Sequence, residues 1–231
     1  MNIIASGNFS QRSWRLGAVS VCCLLVSACA ALQPEAMPSS PTLYSLDNAI
    51  KLAPIAPRTE PAATAPTLLI TSPRAAAGFD SSRIIYLRET HKLEYFARSE
   101  WVDTPARMLT PLLVGAVENS GAFRVVVHAP SSASGDLRLD TEILQLQQEF
   151  EGGTSRVRFV LRAYLVEDAS RRVLASHEFE ALAAAPSADP YGGVVAANQA
   201  VRSVLEKLAA FCADAGGNWR PKDPDHRSTY R

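Results

Sequence analysis

Among the side chains of this 231-residue chain that could take part in covalent chemistry, Cys29 has the most informative surroundings. It closes the run Leu25-Val26-Ser27-Ala28-Cys29, at the end of an apolar stretch that begins at Leu16. Arg12 and Arg15 precede the stretch, and no Asp or Glu occurs before Cys29. A basic start, an apolar run of about ten residues and small residues at a cleavage point are the parts of a secretory signal peptide. Other reactive types offer less. His91, His128, His177 and His226 have no ligand-like spacing, and neither HxxxH nor CxxC occurs. No GxSxG sequence marks a nucleophilic serine. Gly152-Gly153, Gly192-Gly193 and Gly216-Gly217 are isolated pairs, not phosphate-cradling loops. The residues point away from an enzyme and give no reason to expect a metal or other cofactor.

A cysteine directly after small residues resembles the bacterial lipobox. The resemblance implies that the Cys29 thiol receives a diacylglyceryl group, that residues 1–28 are removed, and that the new amino terminus is acylated with a palmitate-like chain. One acyl chain binds a membrane only marginally, at roughly 0.8 kcal/mol per buried methylene, whereas three hold nearly permanently. The alternative is an uncut membrane anchor. Leu16 to Ala31 is sixteen residues long, against the roughly twenty that a spanning helix needs. Pro34, Pro38 and Pro41 follow, which suits a released tether better than a continuing helix. Residue 30 is Ala; by resemblance to bacterial lipoprotein sorting, Asp there would favour the inner membrane, so the outer membrane is expected, with the domain facing the periplasm.

The whole chain carries 23 basic and 23 acidic residues. Loss of the first 28 removes only Arg12 and Arg15, which leaves 21 against 23 and a net charge of −2. A nucleic-acid binder should carry a basic excess, so no nucleic-acid partner is expected. Of the four cysteines, Cys22 and Cys23 leave with the signal and Cys29 is capped, so Cys212 has no partner for an intrachain disulfide. Its plain reading is a small apolar residue on a buried helix face.

Residues 30–66 hold seven prolines among Ala, Ser and Thr, the composition of an extended tether. These 37 residues would reach roughly 120 Å when fully extended. One island, residues 42–46, has strand chemistry and is a candidate first strand. The folded domain is expected over 67–214, with a disordered tail over 215–231. Thr67 to Ser72 reads as a buried strand ended by Pro73. Residues 83–88 and 92–96 read as a hairpin joined by Glu89-Thr90-His91. Thr104-Pro105 is a helix start, and Met108, Leu109, Leu112, Leu113, Ala116 and Val117 form an apolar stripe. Pro111 conflicts with one straight helix: the segment is bent, or starts again at Thr110. Residues 123–128 make a short strand. Three longer strands follow in 136–150, 156–166 and 173–181. In the first, the inward parity switches at Ile143-Leu144, the mark of a bulge. In the others Val157, Phe159, Leu161, Ala163 and Leu165, then Val173 to Ala181, alternate with polar residues, as a half-buried antiparallel sheet requires. Asp189-Pro190 starts a second helix that ends near Ala213, with Gly216-Gly217 as its stop. Two amphipathic helices cannot hide their stripes alone. The expectation is a two-layer α+β domain: a mixed, mostly antiparallel sheet with both helices packed on one face.

In that order of elements the chain resembles the ABC-type transport auxiliary lipoprotein family. The resemblance is carried by the lipobox, Tyr44 in a strand after the tether, Thr67 to Pro73, Phe79-Asp80, Arg83 to Arg88, Leu93-Glu94-Tyr95, Trp101 before a helix, and the hairpin from Leu137 to Val166. It implies a non-enzymatic role beside an ABC permease and ATPase and an MCE-domain protein that moves lipid between inner and outer membranes. The Pro/Ala-rich insert at 47–66 departs from the commoner pattern.

Tyr86, Tyr95, Phe96 and Trp101 are the one aromatic concentration, interleaved with Arg83, Arg88 and Arg98. They are either a satellite core under the first helix or a partner surface, where aromatics and arginines anchor interfaces. Tyr86, Arg88 and Trp101 are the candidate partner-binding residues, and Cys29 is the lipid-attachment residue. Arg156, Arg158 and Arg162 line the polar face of one strand, which reads as a solvated face; paired with Glu142, Glu178 or Glu180 across the sheet, they would be ordinary cross-strand charge pairs. Exposed sheet edges make a homo-oligomer a candidate state. A regulator or assembly factor of another envelope machine, such as a peptidoglycan synthase, is the alternative function.

Overall fold

The domain is organised around one long strand. The structure, a computed structural model, describes residues 40–46, 64–131 and 133–220. The signal segment, Cys29, most of the tether and residues 221–231 lie outside the described residues. Nine strands and two helices are present among them: β1 (Thr42–Tyr44), β2 (Thr67–Ile70), β3 (Arg74–Ala75), β4 (Arg83–Leu87), β5 (Glu94–Trp101), α1 (Pro105–Asn119), β6 (Val125–His128), β7 (Leu137–Glu151), β8 (Thr154–Glu167), β9 (Arg172–Ala184) and α2 (Pro190–Gly217).

β8 runs antiparallel to β7 along its full length, and β9 antiparallel to β8. The other edge of β7 is shared, end to end, by three short parallel strands. β2 pairs at Leu137–Leu139, β3 at Glu142–Ile143 and β4 at Gln148–Glu149. β6 continues the sheet beyond β2, and β5 then β1 continue it beyond β4. The long ladders and the β4–β5 hairpin are antiparallel; the five short ladders are parallel.

Alternation makes this sheet one-sided. Leu137, Leu139 and Ile143 on β7, and Val157, Phe159, Leu161, Ala163 and Leu165 on β8, face a single core that also contains the buried stripes of α1 and α2. At roughly 1.5–3 kcal/mol for each large apolar side chain taken out of water, that shared core is the main driving force for folding. The parity switch on β7 is a bulge: Ile143 pairs with Leu161 and Gln145 with Val160, leaving Leu144 over. Gly152 and Gly153 make the two-residue turn into β8, both at positive φ (56° and 82°), which a type I′ hairpin requires.

Four expectations need adjustment. α1 runs through Pro111 without a second start, and Pro111 sits on its exposed side, where an unpaired carbonyl can be hydrated. On β9 a bulge at Leu174 puts Val173 on the outer face, 54% exposed, so the expected alternation begins only at Ala175. α2 does not stop near Ala213 but continues to Gly217. Gly216 is a packing residue there: an added Cβ would lie 2.8 Å from the Phe123 ring. The expected disordered tail therefore starts too early. Trp219 packs against the core and donates from Nε1 to Glu167 at 3.4 Å.

Candidate partner-binding surface

The β4–β5 hairpin carries the aromatic residues, and an irregularity in its pairing sorts them. Tyr86 pairs with Glu94 and Ile85 with Tyr95, but Arg83 pairs with Glu100. β4 advances two residues where β5 advances five, so β5 holds three extra residues. Such an insertion changes which side chains face inward. Phe96 and Trp101, an odd distance apart, thus come to the same side as Tyr86. Ala97 and Arg98 between them are exposed.

On that side the two ends of β5 have different neighbours. Trp101 is 3% exposed and belongs to the core. It borders a void of about 10 Å³ together with Ile84, Leu146, Gln148, Gly193 and Ala197. Trp101 is therefore removed from the candidate partner surface: a buried ring beneath α2 has no face to offer. α2 closes tightly here. Asp189 caps it by accepting from the Gly192 N–H at 2.7 Å, which draws the carboxyl below its usual range. A Cβ on Gly193 would meet Gln148 Oε1 at 2.1 Å. The Gly192-Gly193 pair thus serves close packing of helix on sheet.

Two residues further along β7, beyond the first turn of α2, Phe150 meets Tyr86 and Phe96. The ring centroids lie 4.4 Å apart for Tyr86–Phe96, 5.7 Å for Tyr86–Phe150 and 6.4 Å for Phe96–Phe150. All three residues are half-buried. The Arg88 guanidinium carbon lies 5.0 Å from the Tyr86 ring centre and 5.7 Å from that of Phe150. On the opposite face of the hairpin, Arg83 covers the exposed Tyr95 at 5.0 Å. Arg88 and Phe150 also border an open cleft of about 390 Å³, with Glu89, Glu149, Glu151 and Arg156.

Charge is unevenly satisfied around this shelf. Burial works against a charged Glu149, but the hydrogen bonds it accepts from Arg158 (2.7 Å), Gln147 (3.1 Å) and Arg156 (3.0 Å) outweigh it and hold its carboxyl below the usual range. The ladder continues across the outer face: Arg158 reaches Glu180, and Arg162 reaches Glu178 at 3.0 Å and Glu142 at 3.9 Å. Arg158 and Arg162 thus pair across the sheet with Glu180, Glu178 and Glu142, whereas Arg156 pairs with Glu149 and Glu151. Arg88 differs. Among the described residues its partners are the two rings, and it makes no ion pair. A cation placed against aromatic rings and lacking an ion-pair acid is suited to an incoming acidic group.

Sequence reasoning named Tyr86, Phe96 and Arg88 but missed Phe150. Its signal was legible: after the bulge at Leu144, Phe150 shares the inward parity of Leu146, yet stands one residue before the turn, past the reach of a helix. Other reactive residues stay dispersed. His91 lies in the β4–β5 turn with φ 69°, His128 contacts Ser72 at 3.2 Å, and the His177 ring lies tilted against Phe179, with centroids 4.6 Å apart. Among the described residues no three His, Cys, Asp or Glu side chains converge as a metal would need, and no helix is long and apolar enough to cross a membrane. Burial pushes the Cys212 thiol up to about 12, so a thiolate is scarce at neutral pH.

The profile of the ABC-type transport auxiliary lipoprotein component matches residues 50–209. The chain belongs to that family. Its fold is similar to that of a Xanthomonas campestris protein in a crystal structure, with a TM-score of 0.63 and 23% identity over 76% of this chain and 96% of the other. A second crystal structure, of an uncharacterized protein, gives 0.57 and 12% over 74% and 98%. A weaker likeness, 0.41 and 12% over 63% and 90%, is to a PelC dodecamer from Paraburkholderia phytofirmans. No curated protein matches the sequence. The auxiliary lipoprotein profile spans the aromatic shelf, α1 and most of α2, and begins after β1.

Proposed function

We propose that this auxiliary lipoprotein is a non-enzymatic component of an ABC/MCE-type intermembrane lipid transport system, acylated at Cys29, held on the outer membrane and facing the periplasm. Its work is positional. The acyl chains fix it to one membrane, and the shelf of Tyr86, Arg88, Phe96 and Phe150 docks the MCE protein or its permease and ATPase complex. The profile match over residues 50–209 carries this reading. The exposed aromatic–arginine shelf supports it, because such residues dominate binding energy at interfaces. β9 leaves one edge unpaired along its thirteen residues among the described strands, which supports self-association as a further feature of the assembly.

Crosslinking in the native envelope followed by pull-down tests the proposal. An MCE protein should be recovered, and Arg88→Glu should reduce that recovery at least tenfold. Recovery of peptidoglycan synthases alone would overturn it. Mass spectrometry of the mature amino terminus should find Cys29 acylated and the protein in the outer-membrane fraction.

A further inference from the structure

β1 lies outside the stretch matched by the family profile, yet it is built into the domain. Thr42, Leu43 and Tyr44 pair in parallel with Ser99, Glu100 and Trp101. The Val102 N–H donates to the Tyr44 carbonyl at 2.7 Å. Asn198, on α2 and 5% exposed, donates from Nδ2 to the Ser45 carbonyl at 3.2 Å and to the Val194 carbonyl at 3.0 Å. Leu46 is 5% exposed within the core, and Tyr44 packs against it. The chain is thus captured by a strand edge, a helix side chain and the core within five residues.

That capture changes the arithmetic of the tether. Counted to the start of β2, residues 30–66 would span roughly 120 Å when extended. Counted to the start of β1, only residues 30–41 separate Cys29 from the domain, and twelve residues span roughly 40 Å. Residues 47–66 form a closed excursion between two strands of the same sheet, so they add nothing to the reach while β1 is in place. Loop closure of this kind depends only weakly on length, so such an excursion is tolerated at little cost.

We infer that β1 sets the working length of the tether: docked on β5 it holds the domain within roughly 40 Å of the membrane that carries Cys29, and detached it releases residues 42–66 as added reach. The inference rests on Cys29 being the membrane anchor. It places docking at the membrane surface, and it makes the three-residue β1 ladder the element that distinguishes a short tether from a long one.

The test uses the full-length acylated protein on a supported bilayer, with the height of the protein layer measured by neutron reflectometry. Leu43→Cys with Glu100→Cys locks β1 to β5 by a disulfide. Tyr44→Gly with Leu46→Asp releases it. Wild type and the locked variant should give the same height. The released variant should stand higher by roughly 15 Å, the increment that square-root scaling of chain span gives between 12 and 37 residues. Length variants decide the matter even if the released variant unfolds, which near-UV circular dichroism would reveal. Removing about eight residues within 47–63 should leave the height unchanged, and removing as many from 30–41 should lower it. Equal lowering by the two deletions would overturn the inference, as would a folded released variant no higher than wild type. Loss of all bilayer binding in wild type would instead mean that Cys29 is not the anchor, and failure to recover transport components leaves these heights unaffected.

Discussion

Trp101 and Tyr86 sit on one strand pair, face the same side of one sheet and read alike in the sequence, as aromatics beside arginines. The structure gives them opposite surroundings. Trp101 lies under α2 and is almost fully enclosed, whereas Tyr86 stands past the first turn of α2 and shares a half-buried shelf with Phe96, Phe150 and Arg88. The difference arises from coverage, not from residue type. The sheet is longer than the helix that roofs it, so the same inward-facing parity makes core at one end and shelf at the other.

The largest expected effect breaks the comparison if it fails. Trp101→Ala should cost about 3–5 kcal/mol of stability in urea denaturation, the usual range for a truncated core aromatic. Tyr86→Ala should cost about 1 kcal/mol or less, since its ring keeps solvent on one side. Equal losses would mean that the two ends are one core. Next in size, Gly193→Ala should cost about 1–3 kcal/mol by forcing Gln148 away from the helix start. Gly115→Ala, with open space around the added methyl, should instead stabilise α1 by about 0.5–1 kcal/mol. A smaller effect separates the two ends by pH. The depressed carboxyl of Glu149 contributes stability that is complete above its unfolded value of about 4.3 and is lost as pH falls through the lower folded value. The stability difference between wild type and Glu149→Gln should therefore stay constant from neutral pH down to about 4.3 and shrink below it. The smallest effect concerns the outer face: Arg162→Ala should leave the urea midpoint close to that of wild type, because its ion pairs are exposed. Arg88→Glu should likewise leave urea denaturation unchanged while weakening partner recovery.

Much of the architecture was legible because local chemistry and tertiary structure agree. The bulge at Leu144, the helix start at Thr104-Pro105 and the Gly152-Gly153 hairpin each follow from patterns within a few residues. Other features depend on distant parts of the chain. The three extra residues of β5 are invisible in its own composition, because Ala97 and Arg98 look like ordinary strand residues until β4 sets the pairing. Gly216 reads as a helix stop until Phe123, almost a hundred positions earlier, is seen against it. Phe150 reads as one more strand residue until the end of α2 is located. The shelf was therefore half legible: its residue types were in view, while its boundary was set by where a helix begins.

β7 takes three parallel partners on a single edge, and all three precede it in the chain. Synthesis proceeds from the amino terminus, so β2, β3 and β4 exist before the strand that binds them. Until β7 has emerged, β2 has only β6 and β4 only β5 to pair with, so Leu68, Ile70, Ile84 and Ile85 lack the central strand that joins those two pairs into one sheet. The local β7–β8–β9 meander can close at once, by contrast, and the earlier half must then dock onto it. Any escort that handles this chain in transit must shield its first half longest.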